Sequence, residues 1–386
     1  MEALKPNINV TVSASAGSGK TYLLVSRIIR LLLEGGAPNS IVAITFTRKA
    51  AGEMVERLNE RLYELAAIED DALATTLHNL GVDSSYNERA RSLYENLLLN
   101  PRSVKITTFH AFCHDLLQRF SLEAGIDPGF ELLESSTLIK HQAWQRLLDN
   151  ATQQTSDETN RALDQLFNEC SNPSSVEELL LNDFLEHRSD WWAFTENKPD
   201  PIAYATQKTR SALKLDKQVN DKPSLPDTVR KQLEQFSLLL EKHTTKTNGK
   251  SVLTLNKLLE HHQFDIDALK MLHAIFFTAA GGLRKRGSSK AQIKSMGEEN
   301  ETTLIALHHT LAEVVDDLLD KQYREKTAAL SHAWYTLGNQ LLSLFQTIKR
   351  EQNYLDFSDL EWQVYKLLSD NEQSHWVQYK LDQRID

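Results

Sequence analysis

The run Ala14-Ser15-Ala16-Gly17-Ser18-Gly19-Lys20-Thr21 constrains this chain more than any other feature. Before it, Ile8, Val10 and Val12 alternate with polar residues through Ser13, as a strand does; after it, Thr21 to Glu34 carries apolar residues at helical spacing. Small residues between a strand and a helix let the backbone wrap closely around oxygen atoms. The amides at the helix start point at them, an arrangement suited to a chain of phosphates. Lys20 is then expected to meet the β- and γ-phosphates of ATP, and Thr21 to give its hydroxyl to Mg²⁺. Ala14 stands where the general pattern has a glycine. The plain alternative is a flexible small-residue turn, against which the Lys-Thr pair and the strand-loop-helix setting both weigh.

The surrounding rhythm continues this theme. Strand-like runs at Ile41 to Phe46, Val104 to Thr108 and Phe130 to Leu133 alternate with helical patterns at Lys49 to Ala67 and Ala111 to Ala124, the last closed by Gly125. Parallel strands joined by helical crossovers follow from that order, an α/β domain. From about Ser135 leucine-spaced helical segments take over. Near the end Phe357, Leu360, Val364, Leu367 and Leu368 specify a helix whose start is loaded with Asp356, Asp359 and Glu361, the favourable end for negative charge. A length of 386 residues allows two or three compact units.

Lys plus Arg number 43 against 53 Asp plus Glu, a net charge of -10, so any nucleic-acid site must be a local patch rather than the whole surface. Two cysteines, Cys113 and Cys170, make no disulfide framework and point to a reducing, cytoplasmic setting. The apolar stretch Leu23 to Leu33 is interrupted by Ser26, Arg27 and Arg30 and is too short for a membrane span. No secretory signal is expected, and no membrane partner.

A second run, Thr45-Phe46-Thr47-Arg48-Lys49-Ala50-Ala51-Gly52-Glu53-Met54, passes from strand to helix with Arg48 and Lys49 in the helix's first turn. Cations there oppose the helix dipole by about 0.3 to 1 kcal/mol each, and a docked phosphate would satisfy them. Phe46 offers a face for an unpaired base, a contact of about 1 to 3 kcal/mol. The alternative is that Phe46 is a core residue and the cations are simply solvated.

Together with the phosphate loop and this second run, Thr108-Phe109-His110-Ala111-Phe112-Cys113 and Asp356-Phe357-Ser358-Asp359-Leu360 resemble, in order, motifs of superfamily 1 UvrD-like DNA helicases, with wording closest to the AddA/RecB branch of helicase-nuclease subunits. The resemblance covers roughly the first 135 and last 35 residues. It implies a RecA-like P-loop subdomain, 1A, formed by 1–134 and 350–386, with a large, mostly helical subdomain, 1B, inserted at 135–349. By the same resemblance Phe46, Thr47, Arg48, Thr108 and His110 line a single-strand path, although a lone His in such a turn is otherwise a satisfied structural residue. It further implies a 3′-to-5′ ATP-dependent helicase of double-strand break repair, whose partner is an AddB-type nuclease. The glutamine by which this family reads adenine has no counterpart, because the first Gln is Gln118.

Arg284-Lys285-Arg286, flanked by Gly281, Gly282 and Gly287, reads as a basic loop that could hold duplex DNA through phosphates, or as solvated charge. Hydrolysis of ATP needs a carboxylate pair that the family places in a DExxD-type strand after the DFxDL helix. The chain reaches Asp386 about where that strand is expected. A fragment that binds nucleotide, hydrolyses almost none and leaves apolar sheet surface open is therefore anticipated. A plain UvrD-like repair helicase, a phosphotransferase and a non-enzymatic DNA- or partner-binding remnant are the competing readings; the second run argues against the phosphotransferase.

Overall fold

A computed structural model describes residues 2–13, 15, 19–99, 104–153, 157–170, 172–215, 225–260, 264–369 and 374–382. The chain divides into two compact units, Met1–Ile139 with Gln346–Asp386, and Lys140–Phe345. Helix dominates both, and the described strands form two small parallel pairs.

In the first unit α1 (Lys20–Leu33) is followed by β1 (Val42–Thr45), α2 (Arg48–Ala67), α3 (Asp70–Leu80), α4 (Asn87–Leu99), β2 (Lys105–Thr108), α5 (Phe109–Arg119) and β3 (Glu131–Leu132). Val25, Ile28, Ile29, Leu32 and Leu33 recur on one face of α1 and are buried against Met54, Leu58 and Leu62 of α2, Leu73 and Leu77 of α3, and Leu93 of α4. β1 and β2 pair in parallel from Val42↔Lys105 to Thr45↔Thr108. The strand expected at Ile8–Ser13 is not formed. A strand needs a neighbour to receive its amides and carbonyls, and among the described residues the sheet of β1 and β2 has two members only. Arg27 instead ties this segment down, donating to the carbonyls of Ala3 (2.7 Å) and Ile8 (2.8 Å).

The sequence pattern predicts neither α3 nor α4, nor the early end of α5 at Arg119. From there the chain turns through Ala124 to Gly125, whose φ of +65° suits glycine, with the Ile126 amide donating back to the Ser121 carbonyl at 2.9 Å.

The second unit contains α6 (Thr137–Gln153, which begins just before the division), α7 (Asp157–Glu169), α8 (Pro173–Glu178), a π-helical stretch Leu179–Phe184, α9 (Arg188–Thr195), α10 (Pro201–Ala212), α11 (Asp227–Glu241), α12 (Lys246–Leu259), α13 (Ile266–Phe276), α14 (Lys290–Met296) and most of the 54-residue α15 (Glu298–Glu351). Gly338, in the interior of α15, is required because an added Cβ would lie 2.3 Å from the Phe184 ring. Phe236, Phe264, Phe276, Leu311 and Val315 fill one core. His308 of α15 is fully buried there, its ring 5.5 Å from Phe276, and neither ring nitrogen has a hydrogen-bond partner.

Burial, with Arg286 and His309 nearby, pushes the His308 imidazole down to about 4. The unfolded chain takes up this proton as pH falls below 6.5, while the folded chain resists until about 4. Stability is therefore expected to fall across that window by up to about 3 kcal/mol. Urea midpoints at pH 7 and pH 4.5 should show a smaller acid loss for His308→Leu than for the unaltered chain; an equal loss would remove His308 as the cause.

Back in the first unit, β4 (Tyr354–Leu355) pairs in parallel with β3, and α16 (Phe357–Ser369) and α17 (Ser374–Asp382) come after it. Leu360, Val364 and Leu367 of α16 pack on Cys113, Leu116 and Leu117 of α5. The acidic start of α16 does more than favour a dipole. Asp356 Oδ1 accepts from the Asp359 amide (3.2 Å) and Asp359 Oδ2 from the Asp356 amide (3.0 Å), a reciprocal cap in which each carboxylate satisfies the other's backbone. Lys349 Nζ donates to both carboxylates, at 2.9 Å to Asp356, and Gln346 Nε2 donates to Asp359 Oδ1 at 2.9 Å. Lys349 is 1% and Asp359 3% exposed.

Candidate nucleotide and nucleic-acid site

The phosphate-loop residues Ala14, Ala16, Gly17 and Ser18 lie outside the described residues. The head of α1 is defined. Gly19 precedes α1 with φ +85°, a left-handed conformation that a side chain would strain, and no side chain caps the helix. Lys20, exposed, and Thr21, half-buried, occupy the first turn, and Ser15 is exposed. Beside them a cleft of about 480 Å³ is lined by Ala3, Val10, Val12, Lys20, Leu24 and Arg27, among others, and its lining contains no carboxylate. Ile8, Val10, Val12 and Leu24 are each more than one-third exposed. An uncapped helix start, a forced left-handed glycine and a lysine on the first turn fit a phosphate chain. Lys20 and Thr21 would hold ATP and its Mg²⁺; the nucleotide supplies the phosphoanhydride bond that such motors hydrolyse. Among the described residues no cluster of three or more His, Cys, Asp or Glu could bind a metal by itself.

The second cluster lies where β1 and β2 end. Because the two strands run in parallel and in register, α2 and α5 begin at the same edge of the sheet. Both starts are capped by a motif threonine: Thr47 Oγ1 accepts from the Ala50 amide (3.1 Å), and Thr108 Oγ1 from the Ala111 amide (3.2 Å). Their capping role is readable from Thr ahead of a helical run, and it precedes any contact with a ligand. Phe46 is 92% exposed, which removes the reading of it as a core residue. Arg48 and Lys49 are exposed too, Lys49 within 4.0 Å of Glu53.

His110 is brought to this edge but held from behind. Its Nε2 lies 3.0 Å from Glu361 Oε1, and its ring centroid 4.6 Å from that of Phe357. Sequence reasoning misses both partners because 251 residues separate His110 from Glu361. Neighbouring Cys113 is fully buried, and burial together with the Glu361 charge pushes its thiol up to about 11, so it is packing and no nucleophile. Arg284, Lys285 and Arg286 belong to the second unit and are not part of this edge.

The motif threonines, the exposed aromatic and the phosphate-loop helix are features shared with known proteins. The model of the UvrD/REP helicase N-terminal domain matches residues 2–386. The chain belongs to that family. It is similar to the ATP-dependent helicase/nuclease (A-subunit) of Enterococcus faecalis, 28% identical over 397 residues that take in 95% of this chain, and to that of Clostridium beijerinckii, 27% identical over 394 residues and 94%. The protein of the same name from Lactobacillus gasseri is 36% identical over 138 residues, 35% of the chain. The chain spans 29% of the length of the first two. No helix among the described residues is long and apolar enough to cross a membrane.

Proposed function

We propose that this UvrD/REP-family chain is the nucleotide- and DNA-holding part of an ATP-dependent DNA helicase acting in double-strand break repair, with 3′-to-5′ movement. The observation that carries the reading is the pair of helix starts at one sheet edge, with Phe46 standing out of it, in the same unit as the left-handed Gly19 and Lys20 at the head of α1. The first unit is the RecA-like subdomain 1A and the second the inserted subdomain 1B. The relatives' name supports a nuclease partner of AddB type. The cleft beside Lys20 offers no carboxylate to activate water, so the chain alone holds Mg-ATP and turns over little of it. That same observation favours, as the second reading, a binding module without catalysis.

Phosphates of a single strand would lie against the α2 start and Arg48, Thr47 and Thr108 fixing the two helix starts, with a base on Phe46 and His110 beside it. Phe46→Ala is expected to weaken binding of a fluorescent single-stranded oligonucleotide by about 1 to 3 kcal/mol without altering the fold, since the ring packs on little. Unchanged affinity would show that no base stacks there.

A further inference from the structure

The second unit carries a cleft of about 700 Å³ between the start of α12 and the facing loop of Arg284 to Gly287. Five cations line it, Lys246 and Lys250 from α12 and Arg284, Lys285 and Arg286 from the loop, and no carboxylate does. Among the described residues none of the five is in an ion pair, in a chain whose net charge is -10. Like charges gathered in a concave wall repel one another and raise a positive potential, which an anionic ligand offsets.

The loop is held, and it is no floppy finger. Gly281, with φ +80°, turns the chain so that Phe277 and Leu283 form an antiparallel bridge. The Arg284 amide donates to the Phe276 carbonyl at 2.7 Å, and its Nε to the Ala274 carbonyl at 3.1 Å. Arg286 lies over the Phe236 ring at 5.4 Å and donates to Asn248 Oδ1 at 3.2 Å. Asn248 is itself buried and fixed through Nδ2 to the His243 carbonyl at 2.8 Å. Burial, with Arg284 close by, pushes the Arg286 guanidinium below its ordinary value.

The lining identifies the ligand class. It holds hydroxyls from Thr247 and Ser251 but no Phe, Tyr or Trp. Sites that hold single strands without sequence preference stack unpaired bases on aromatic faces. A duplex keeps its bases stacked internally and presents phosphates, for which cations, hydroxyls and a helix start suffice. We propose that this cleft grips the phosphate backbone of duplex DNA without reading its bases, with Lys246 and Lys250 forming a second wall opposite the 284–286 loop. It rests on the DNA-binding reading above.

The test uses the full chain, a blunt duplex of two unrelated sequences and a single-stranded oligonucleotide, with affinities taken across a salt series. Lys246→Ala with Lys250→Ala, and Arg284→Ala with Lys285→Ala, change exposed side chains outside the core. Each pair is expected to weaken duplex binding about tenfold, to reduce the salt slope by about 2, and to do so equally for both duplex sequences. Single-strand affinity should stay put, whereas Phe46→Ala should show the reverse pattern. Unaltered duplex affinity and slope, with single-strand binding intact, would overturn the cleft and leave the DNA reading standing. Equal loss on both DNAs would also overturn it, and binding of neither DNA by the unaltered chain would overturn both.

Discussion

Lys20→Ala is expected to weaken Mg-ATP binding by about tenfold to a hundredfold while leaving thermal stability unchanged. A hydrogen bond from a charged donor contributes about 1.5 to 3 kcal/mol, and each 1.4 kcal/mol is about a factor of ten. Lys20 is exposed on the first turn of α1, and the buried face of that helix starts only at Val25, so the substitution touches no core. Equilibrium titration with a fluorescent ATP analogue, paired with a melting curve, reads both quantities. Thr21→Ala should weaken binding only when Mg²⁺ is present. A loss for Lys20→Ala that tracks a fall in melting temperature would assign the residue to stability instead.

Lys349→Met is expected to destabilise the first unit by about 3 to 5 kcal/mol, the cost of leaving two buried carboxylates without their cation. In a unit of this size that lowers the melting temperature by about 10 °C. Asp356 and Asp359 cap α16 reciprocally and share Lys349, so the three act as one network. The double change Lys349→Met with Asp359→Asn should therefore cost less than the sum of the two single changes, because removing a charge relieves the burden left by its missing partner. A cost below about 1 kcal/mol for Lys349→Met would mean that the network is better solvated than its burial indicates.

These two sites show what is legible in the sequence. The phosphate-loop helix is legible because small residues, the Lys-Thr pair and apolar spacing from Val25 to Leu33 all point the same way. β1 and β2 are legible as short β-branched runs. Ile8–Ser13 has the same alternation, yet alternation specifies a face and does not supply a partner strand. The lock at α16 is half legible: Asp356 and Asp359 announce a helix start, but Lys349 sits in a different helix and its pairing depends on tertiary packing. His110 repeats the lesson, its chemistry set by Glu361 and Phe357 on α16. The basic cleft is the extreme case, since Lys246 and Lys250 lie well before the loop they face in the sequence and read alone as solvated charge.

The two units also divide the labour in the proposed function. An edge with an exposed aromatic suits an unstacked strand, and a cleft without aromatics suits a paired one. A helicase must hold both forms at once.

The most direct measurement is a single-turnover experiment with the chain in excess over labelled ATP, with Mg²⁺ and single-stranded DNA present, in which bound nucleotide is captured and resolved. ATP retained by the chain and still intact after many seconds is the expected result. ADP formed at about 1 per second or faster, an ordinary enzymatic rate, would contradict it, and so would failure to retain ATP at all.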